Sequence, residues 1–332
     1  MNIGLTYDLR LDYLKEGFSE EETAEFDKES TVEDIERALH HLGHETERIG
    51  HVKALVRQLV SGKKWDLVFN ICEGMYGIGR EAQVPAILDA YGIPYTFSDP
   101  MVLALTLHKG MTKRVIRDAG ISTPSFAVVI SQDDIENIAL PYPLFVKPNS
   151  EGSGKGIALN SKVLNKEQLK VTCDHLWKTI SGALLVETYL PGREFTAGVL
   201  GTGKDCFPVG CMEIHFNSAA KDSIYSYDMK THYEDYISYS LPEREIADRV
   251  CELAVNAWKT LECRDGGRID VRLDEEGIPN FIEVNPLAGL NATTSDLPIL
   301  ARMNGYDYNF IISTIVDSAK KRMNPIQQEK IQ

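Results

Sequence analysis

Short apolar runs alternate with amphipathic segments over the first hundred residues. The runs are typical of strands, and the segments between them repeat apolar residues every three or four positions, as helices with one buried face do. The pattern predicts strands at 2–7, 65–71 and 93–97 and helices at 31–42 and 82–91. Ser30 with Glu33 predicts a capping box at the first helix. Alternating strands and helices predict a mostly parallel α/β sheet.

The rest of the chain predicts two further units. Asp99 followed by Pro100 is typical of a helix start, and Lys109–Gly110 interrupts that helix. The pattern then predicts strands at 126–130, 144–147 and 156–160, a helix at 166–179, strands at 183–187, 194–200 and 206–214, a polar loop at 217–239, a helix at 242–261, a hairpin at 268–285 and a helix at 308–322. We expect an α/β (α+β multidomain) chain whose three domains span 1–99, 100–188 and 189–332.

The composition argues against several classes of function. The 332 residues include 35 Lys and Arg and 49 Asp and Glu, which leaves a formal net charge of −14. That charge disfavours nucleic acid and anionic membranes as partners, because both repel an acidic protein. The chain has no apolar run of membrane-spanning length and no basic, cleavable start, and its six cysteines show no metal-ligand spacing. We therefore expect a cytoplasmic protein without structural zinc.

The predicted hairpin carries the first candidate site. Side-chain alternation places Ile269, Val271, Leu273, Ile282 and Val284 on one face, with Phe281 on the other. On that other face Asp270 lies opposite Glu283, and Asn285 follows two residues later. Two carboxylates and an amide oxygen suit Mg²⁺, which completes its shell with phosphate and water. The alternative is a solvated face on which Arg268 and Arg272 neutralise the acids.

A glycine-rich segment, Val146–Ile157, is the second candidate. Lys147 ends a strand, three glycines follow, and Ser153 lies among them. Glycines let backbone N–H groups approach phosphates closely. The segment is not a Walker A loop, because Asn149 replaces its first glycine and Gly156 its Ser or Thr. A plain glycine-rich turn is the alternative.

The third candidate is the link between two strands at 184–196. Glu187 ends the first strand, and Glu194 begins the second after a Pro-Gly turn. Such a strand exit can present backbone groups to a purine and a carboxylate to a ribose. A simple connection between domains is the alternative.

Taken together, these segments resemble the ATP-grasp superfamily and, within it, the D-alanine–D-alanine ligase family. The similarity covers about residues 60–320. It includes G-I-P-Y-T-F-S at 92–98, Lys109 at a helix break, V-K-P-x-x-E-G-S at 146–153, E-x-Y-L-P-G-R-E-F-T at 187–196, G-R-I-D-V-R-L-D at 267–274, and I-E-V-N-P at 282–286 followed by Gly289. The resemblance implies an ATP-grasp fold with ATP between the central and C-terminal domains.

The resemblance also implies roles for individual residues. Phosphate contacts would come from Lys109 and Lys147, and adenine and ribose contacts from Glu187, the backbone near Leu190, and Glu194. Two Mg²⁺ ions, with Mn²⁺ as an alternative, would lie on Asp270, Glu283 and Asn285. The catalytic residues would be Arg268, which stabilises an oxyanion, Ser153 in a lid over the site, and Lys230 in a mobile loop.

The sequence departs from the family pattern only around the amino-acid pocket. The family's substrate-binding glutamate usually follows the first strand in G-G-x-S-x-E, whereas here an acidic insertion spans 19–34. The alignment places Asp27 at that glutamate, with Glu29 close behind. Lys230–Thr231 stands in place of a Lys-Tyr pair. The final substrate loop reads L-A-G-L-N, which makes Gly289 and the later Thr294 its candidate substrate residues.

We therefore expect an ATP-dependent carboxylate–amine ligase. It would join two D-alanine molecules through an acyl phosphate, releasing ADP and phosphate, and act in peptidoglycan biosynthesis as a homodimer. The departures leave other amino acids, peptides or a hydroxy acid open as substrates. A nucleotide-binding regulator without turnover is less favoured, because the phosphate and metal residues are complete.

Overall fold

Three β-sheets with flanking helices make up the part of the protein that the structure describes. The computed structural model describes residues 1–152, 154–157, 159–180, 182–216 and 237–323. Within these ranges no helix combines the length and apolar character that crossing a membrane requires. All six cysteines lie within them as well, and none forms a disulfide.

The N-terminal sheet is parallel, as the alternating pattern predicts. Its strands are β1 (Asn2–Tyr7), β2 (Glu45–Arg48) and β3 (Leu67–Ile71), in the order β2-β1-β3, and its helices are α1 (Arg10–Lys15), α2 (Glu29–His41), α3 (Val52–Val60) and α4 (Gln83–Tyr91). Two predictions are wrong here. Residues 93–97 form a single bridge, Val68 to Tyr95, rather than a strand. Lys28 precedes α2 without any side-chain cap, so the capping box does not form.

The second sheet is antiparallel and has the strand order β4-β7-β5-β6. Its strands are β4 (Phe126–Val129), β5 (Leu144–Pro148), β6 (Lys162–Val163) and β7 (Leu184–Thr188), and the helices of this part of the chain are α5 (Pro100–Leu107), α6 (Lys109–Asp118), α7 (Gln132–Glu136) and α8 (Lys166–Thr179). None of the described residues of the strand predicted at 156–160 is in a strand, and β6 pairs with β5 instead. Gly154 and Gly156 have φ values of 66° and 74°, which extended backbone does not adopt.

The third sheet is antiparallel, with the order β10-β9-β8-β11-β12. Its strands are β8 (Glu194–Leu200), β9 (Phe207–Phe216), β10 (Ile237–Ser240), β11 (Gly266–Leu273) and β12 (Pro279–Asn285), and its helices are α9 (Arg244–Thr260), α10 (Asp296–Met303) and α11 (Tyr308–Lys321). The sequence pattern did not predict α10. Most of the loop predicted at 217–239 lies outside the described residues.

Helices α5 and α6 pack against the third sheet. Val102 and Ile116 belong to the same hydrophobic cluster as Phe195 of β8 and Trp258 of α9. This packing places the start of α6, and hence Lys109, beside the β11–β12 hairpin. The two domain boundaries drawn from the sequence, near residues 99 and 188, stay a prediction.

A β-bulge in the hairpin interchanges the predicted faces of Phe281 and Ile282. Asp270 pairs with Glu283, but Val271 pairs with Phe281, so Ile282 is an extra residue on β12. Phe281 is consequently fully buried in the core, where simple alternation predicts Ile282. The extra residue lets one strand present Phe281 to the core and Glu283 to the opposite face.

We expect Phe281→Ala to lower the free energy of unfolding by about 3–5 kcal/mol, because it leaves a cavity in a packed core. Ile282→Ala is the matched control and should cost much less, since Ile282 is only half-buried. Urea denaturation of both variants measures the difference. Equal losses would contradict the bulged register.

Candidate active site

The β11–β12 hairpin brings the predicted metal-binding residues together. Asp270 lies opposite Glu283, and Arg268 lies opposite Asn285, so the predicted pairing of the two carboxylates is confirmed. Both carboxylate side chains are largely buried, with exposed fractions of 16% for Asp270 and 24% for Glu283. Two carboxylates facing each other in a buried site repel unless cations lie close by.

Lysines supply those cations at Glu283. The Nζ atoms of Lys147 and Lys109 lie 3.6 and 3.7 Å from the same oxygen, Glu283 Oε2. Burial alone would raise the pKa of Glu283, but Lys109, Lys147 and Arg268 outweigh it and lower that pKa to about 2. Glu283 is therefore ionised at neutral pH and holds both lysines at the hairpin.

Glu187, at the end of β7, also lies between two lysines. Its Oε1 is 3.1 Å from Lys147 Nζ, and its Oε2 is 2.9 Å from Lys113 Nζ. All three side chains are almost fully buried. Burial opposes the ionised form, but the two lysines outweigh it and lower the pKa of Glu187. Burial also lowers the pKa of Lys113, to about 8, even though Glu187 acts against that shift.

Arg268 binds the other carboxylate of the hairpin. Its Nη1 lies 2.6 Å from both oxygens of Asp270 and 3.7 Å from Asp296 Oδ2. Thr196 of β8 donates a 2.7 Å hydrogen bond to Asp270 Oδ1. Burial nevertheless raises the pKa of Asp270, since Arg268 offsets it only in part and Glu283 adds repulsion.

Arg272 makes a separate ion pair on the same face of β11. Its Nη1 donates to Glu194 Oε2 at 3.0 Å. Burial raises the pKa of Glu194, and Arg272 counters only part of that effect. One part of the alternative drawn from the sequence is present, because Arg268 pairs with Asp270, but these side chains are largely buried rather than solvated, Arg272 pairs with Glu194, and Glu283 faces lysines. Leu190 is buried in the link between β7 and β8, next to these groups in the chain.

The donor atoms of the hairpin fit Mg²⁺ held together with phosphate. No cluster of three or more His, Cys, Asp or Glu side chains suited to a metal occurs among the described residues, so an all-protein cage is not present there. Asp270, Glu283 and Asn285 provide two carboxylates and one amide, a set that Mg²⁺ uses with phosphate and water. The buried Asn285 Nδ2 has no hydrogen-bond partner among the residues that the structure describes, which leaves this amide free to turn its oxygen to a cation.

The candidate amino-acid pocket forms around the start of α2. Asn291 Nδ2 donates to Thr31 Oγ1 at 3.3 Å, and Asn291 Oδ1 accepts from Thr294 Oγ1 at 2.9 Å. Burial raises the pKa of Asp27 to about 7, although a hydrogen bond from Thr31 acts in the other direction. Asp27 and Thr294 are thus connected through Thr31 and Asn291. A Cβ on Gly289 would lie 2.8 Å from Ser295 Oγ, so a larger residue here would require Ser295 to move.

The other predicted site residues lie apart from this group or outside the described residues. Glu29 forms an ion pair with Arg48, which also bonds Glu36, on a half-exposed surface. Ser153 and Lys230 lie outside the described ranges. The roles drawn for these residues from the sequence stay predictions.

The chain matches known proteins over most of its length. The family model described as D-ala D-ala ligase C-terminus matches residues 115–317, which is more than half of the chain. The D-alanine–D-alanine ligase of Aquifex aeolicus is 33% identical over 285 residues, covering 85% of this chain and 92% of the relative. The chain belongs to the D-alanine–D-alanine ligase family. This membership confirms the resemblance drawn from the motifs.

Solved structures of the family share the fold. A D-alanine–D-alanine ligase from Bacillus anthracis complexed with ATP aligns with a TM-score of 0.72, 21% identity and 99% coverage of both chains. The VanG D-Ala:D-Ser ligase from Enterococcus faecalis aligns with a TM-score of 0.75 and 20% identity, covering 96% of this chain and 99% of that one. The predicted ATP-grasp fold is therefore confirmed.

Sequence reasoning missed Lys113 in this member of the ligase family. Its ammonium bonds Glu187 at 2.9 Å and also donates to Thr123 Oγ1 at 2.9 Å and the Phe281 carbonyl at 3.4 Å. It joins α6, β7 and β12, the elements that carry the candidate site. The available signal was its spacing, since Lys113 follows Lys109 by one helical turn and shares its face.

We expect Lys113→Met to lower the free energy of unfolding by about 3 kcal/mol, because it leaves the buried Glu187 with one cation instead of two. Arg114→Met is the control on the same helix, and its exposed side chain predicts a change within about 0.5 kcal/mol. Urea denaturation at neutral pH measures both. A Lys113→Met protein as stable as the parent would contradict a structural role for this ion pair.

Proposed function

We propose that this protein is an ATP-dependent ligase that joins two D-alanine molecules. The observation that carries the proposal is the cluster of Lys109, Lys147 and Glu283 beside Asp270 and Arg268. It supports the proposal because lysines from α6 and β5, suited to phosphates, lie beside the β11–β12 hairpin, which carries oxygen ligands suited to Mg²⁺ and a guanidinium suited to an oxyanion. Membership of the ligase family supports the same reaction.

In this proposal the nucleotide lies between the second and third sheets. Lys109 and Lys147 contact its phosphates, and the segment after β7, with Glu187, Leu190 and Glu194, holds adenine and ribose. The lysines are well suited to this role because their present partner, Glu283, is itself a candidate metal ligand. In a bound phosphate–metal complex the phosphate oxygens would face the lysines and the metal ion would face Glu283. Each charged side chain would therefore keep a partner of opposite charge.

Asp270, Glu283 and Asn285 would hold Mg²⁺ against the phosphates. When bound, the ion supplies charge stabilisation for phosphoryl transfer. The three donors project from the two neighbouring strands of one hairpin, so their spacing is set by the sheet itself.

The chain's own side chains then favour each step. Lys109 and Lys147 stabilise charge on the phosphoryl group as it passes to the first substrate's carboxylate, which becomes an acyl phosphate. The second amino group attacks that acyl carbon, phosphate leaves, and Arg268 stabilises the oxyanion in between. A lid that includes Ser153 would exclude water, which otherwise hydrolyses the acyl phosphate.

The amino-acid pocket of the proposed ligase lies at the start of α2. Asp27 would receive an ammonium group, and Thr294 with Gly289 would line the side of the second substrate. Lys230 would act as a catalytic residue at the same pocket. We also propose that the enzyme works in the cytoplasm as a homodimer, uses Mg²⁺ in preference to Mn²⁺ and has three domains divided near residues 99 and 188. The six unpaired cysteines support a reducing compartment.

Glu283→Gln should reduce ADP release from Mg-ATP and D-alanine at least about a hundredfold, because it removes a metal ligand and the carboxylate that positions two lysines. Glu276→Gln, in the exposed hairpin turn, is the matched control and should keep the parent rate. Circular dichroism should show an intact fold for both. Parent-like turnover by the Glu283 variant would contradict the site.

A substrate screen tests the reaction itself. We expect Mg-ATP with D-alanine to release ADP and phosphate and to form D-alanyl-D-alanine, identified by mass spectrometry. Paired D- and L-amino acids, short peptides and hydroxy acids provide the comparison. Turnover with another pair and none with D-alanine would assign the same mechanism to other substrates. ATP binding without turnover on any pair would favour a nucleotide-binding regulator.

A further inference from the structure

A buried arginine connects the N-terminal part of the chain to the glycine-rich segment 146–157, here called the glycine-rich loop. Arg80 follows the loop after β3, and its side chain is 9% exposed. Its Nη1 donates to the Ser150 carbonyl at 3.1 Å, and its Nη2 donates to Glu25 Oε2 at 2.9 Å. Glu151 Oε2 lies 3.9 Å from the same Nη2. A single guanidinium thus bridges the acidic insertion and the loop.

Glu25 completes the connection with its second oxygen. The Gly152 N–H donates to Glu25 Oε1 at 2.6 Å, so one carboxylate binds both Arg80 and the loop backbone. A Cβ at position 152 would lie 2.6 Å from that oxygen, which means that only glycine permits this approach. The acidic insertion is therefore not merely a solvated surface, because Glu25 is 13% exposed and engaged at both oxygens.

The start of α6 binds the same short segment. Lys109 Nζ donates to the Glu151 carbonyl at 2.5 Å, and the Lys109 N–H donates to the Asn149 carbonyl at 2.9 Å. The Gly110 N–H donates to Asn149 Oδ1 at 3.0 Å. Because Lys109 also faces Glu283, the position of residues 149–152 is tied to the candidate phosphate site.

We propose that Arg80, acting with Glu25, is a positioning residue that holds the glycine-rich loop closed over the site during the reaction. A buried ion pair whose two partners each bind the loop backbone can fix a loop that its glycines would otherwise leave adaptable. Its effect on catalysis rests on the proposed function. With the loop closed, the amine attacks the acyl phosphate. With the loop loose, water attacks the same carbon, the acyl C–O bond to phosphate breaks, and the free carboxylate and phosphate are released.

Hydrogen exchange in the full-length protein tests the connection without requiring turnover. We expect the peptide that contains Gly152 to exchange at least tenfold faster in Arg80→Gln and Glu25→Gln than in the parent. Arg244→Gln removes an arginine whose side chain is 95% exposed and should leave that peptide unchanged. Parent-like protection in both site variants would overturn the proposal. If Arg80→Gln does not fold, Glu25→Gln decides the result.

The catalytic consequence is measured as ADP released per peptide bond formed. The parent should give a ratio near one, and Arg80→Gln should raise it at least twofold, with Arg80→Lys between them because lysine restores the charge but not the forked geometry. A lower rate with the ratio still at one would show that Arg80 serves the fold alone and would overturn the positioning role. A parent protein without turnover would instead contradict the proposed function, while the exchange result still decides the connection.

Discussion

A line of buried charges that alternate in sign organises the candidate site. It runs from Lys113 to Glu187, Lys147, Glu283 and Lys109, with nitrogen–oxygen separations of 2.9, 3.1, 3.6 and 3.7 Å. The side chains come from α6, β7, β5 and β12. A buried charge without a partner costs several kcal/mol, so each residue requires its neighbours in place. The ion pairs therefore determine how the second and third sheets meet.

This arrangement shows how a strongly acidic protein can carry a locally cationic site, as the proposed binding of ATP requires. Three lysines and two glutamates leave an excess of positive charge within the line, while Arg268 and Asp270 balance each other beside it. The local charge at this buried site, rather than the net charge of −14, governs whether an anion or a cation is favoured there. The β-bulge opposite Asp270 and Val271 lets β12 place Phe281 in the core and Glu283 at the candidate site.

The glycine-rich loop and the acidic insertion depend on each other in the same way. Arg80 and Glu25 compensate each other's burial, and both bind the backbone of the loop. An insertion that the sequence presents as a departure from the family pattern therefore has a definite place in the tertiary structure. Together with Arg80, it contacts residues 150–152, which Lys109 of the candidate phosphate site also binds.

Features that depend on a local pattern could be predicted from the amino-acid sequence alone. The bounds of α8 and β8 and the pairing of Asp270 with Glu283 followed from periodicity, capping and strand alternation, and the predicted helix break at 109–110 falls one residue earlier, at His108. The family motifs added the fold. Three features became visible only in the folded structure: the burial of Lys113, the position of Phe281 rather than Ile282 in the core, and the contact of Arg80 with the loop. These features depend on residues that are distant in the chain and whose charges or volumes must compensate each other, and no local pattern carries that information.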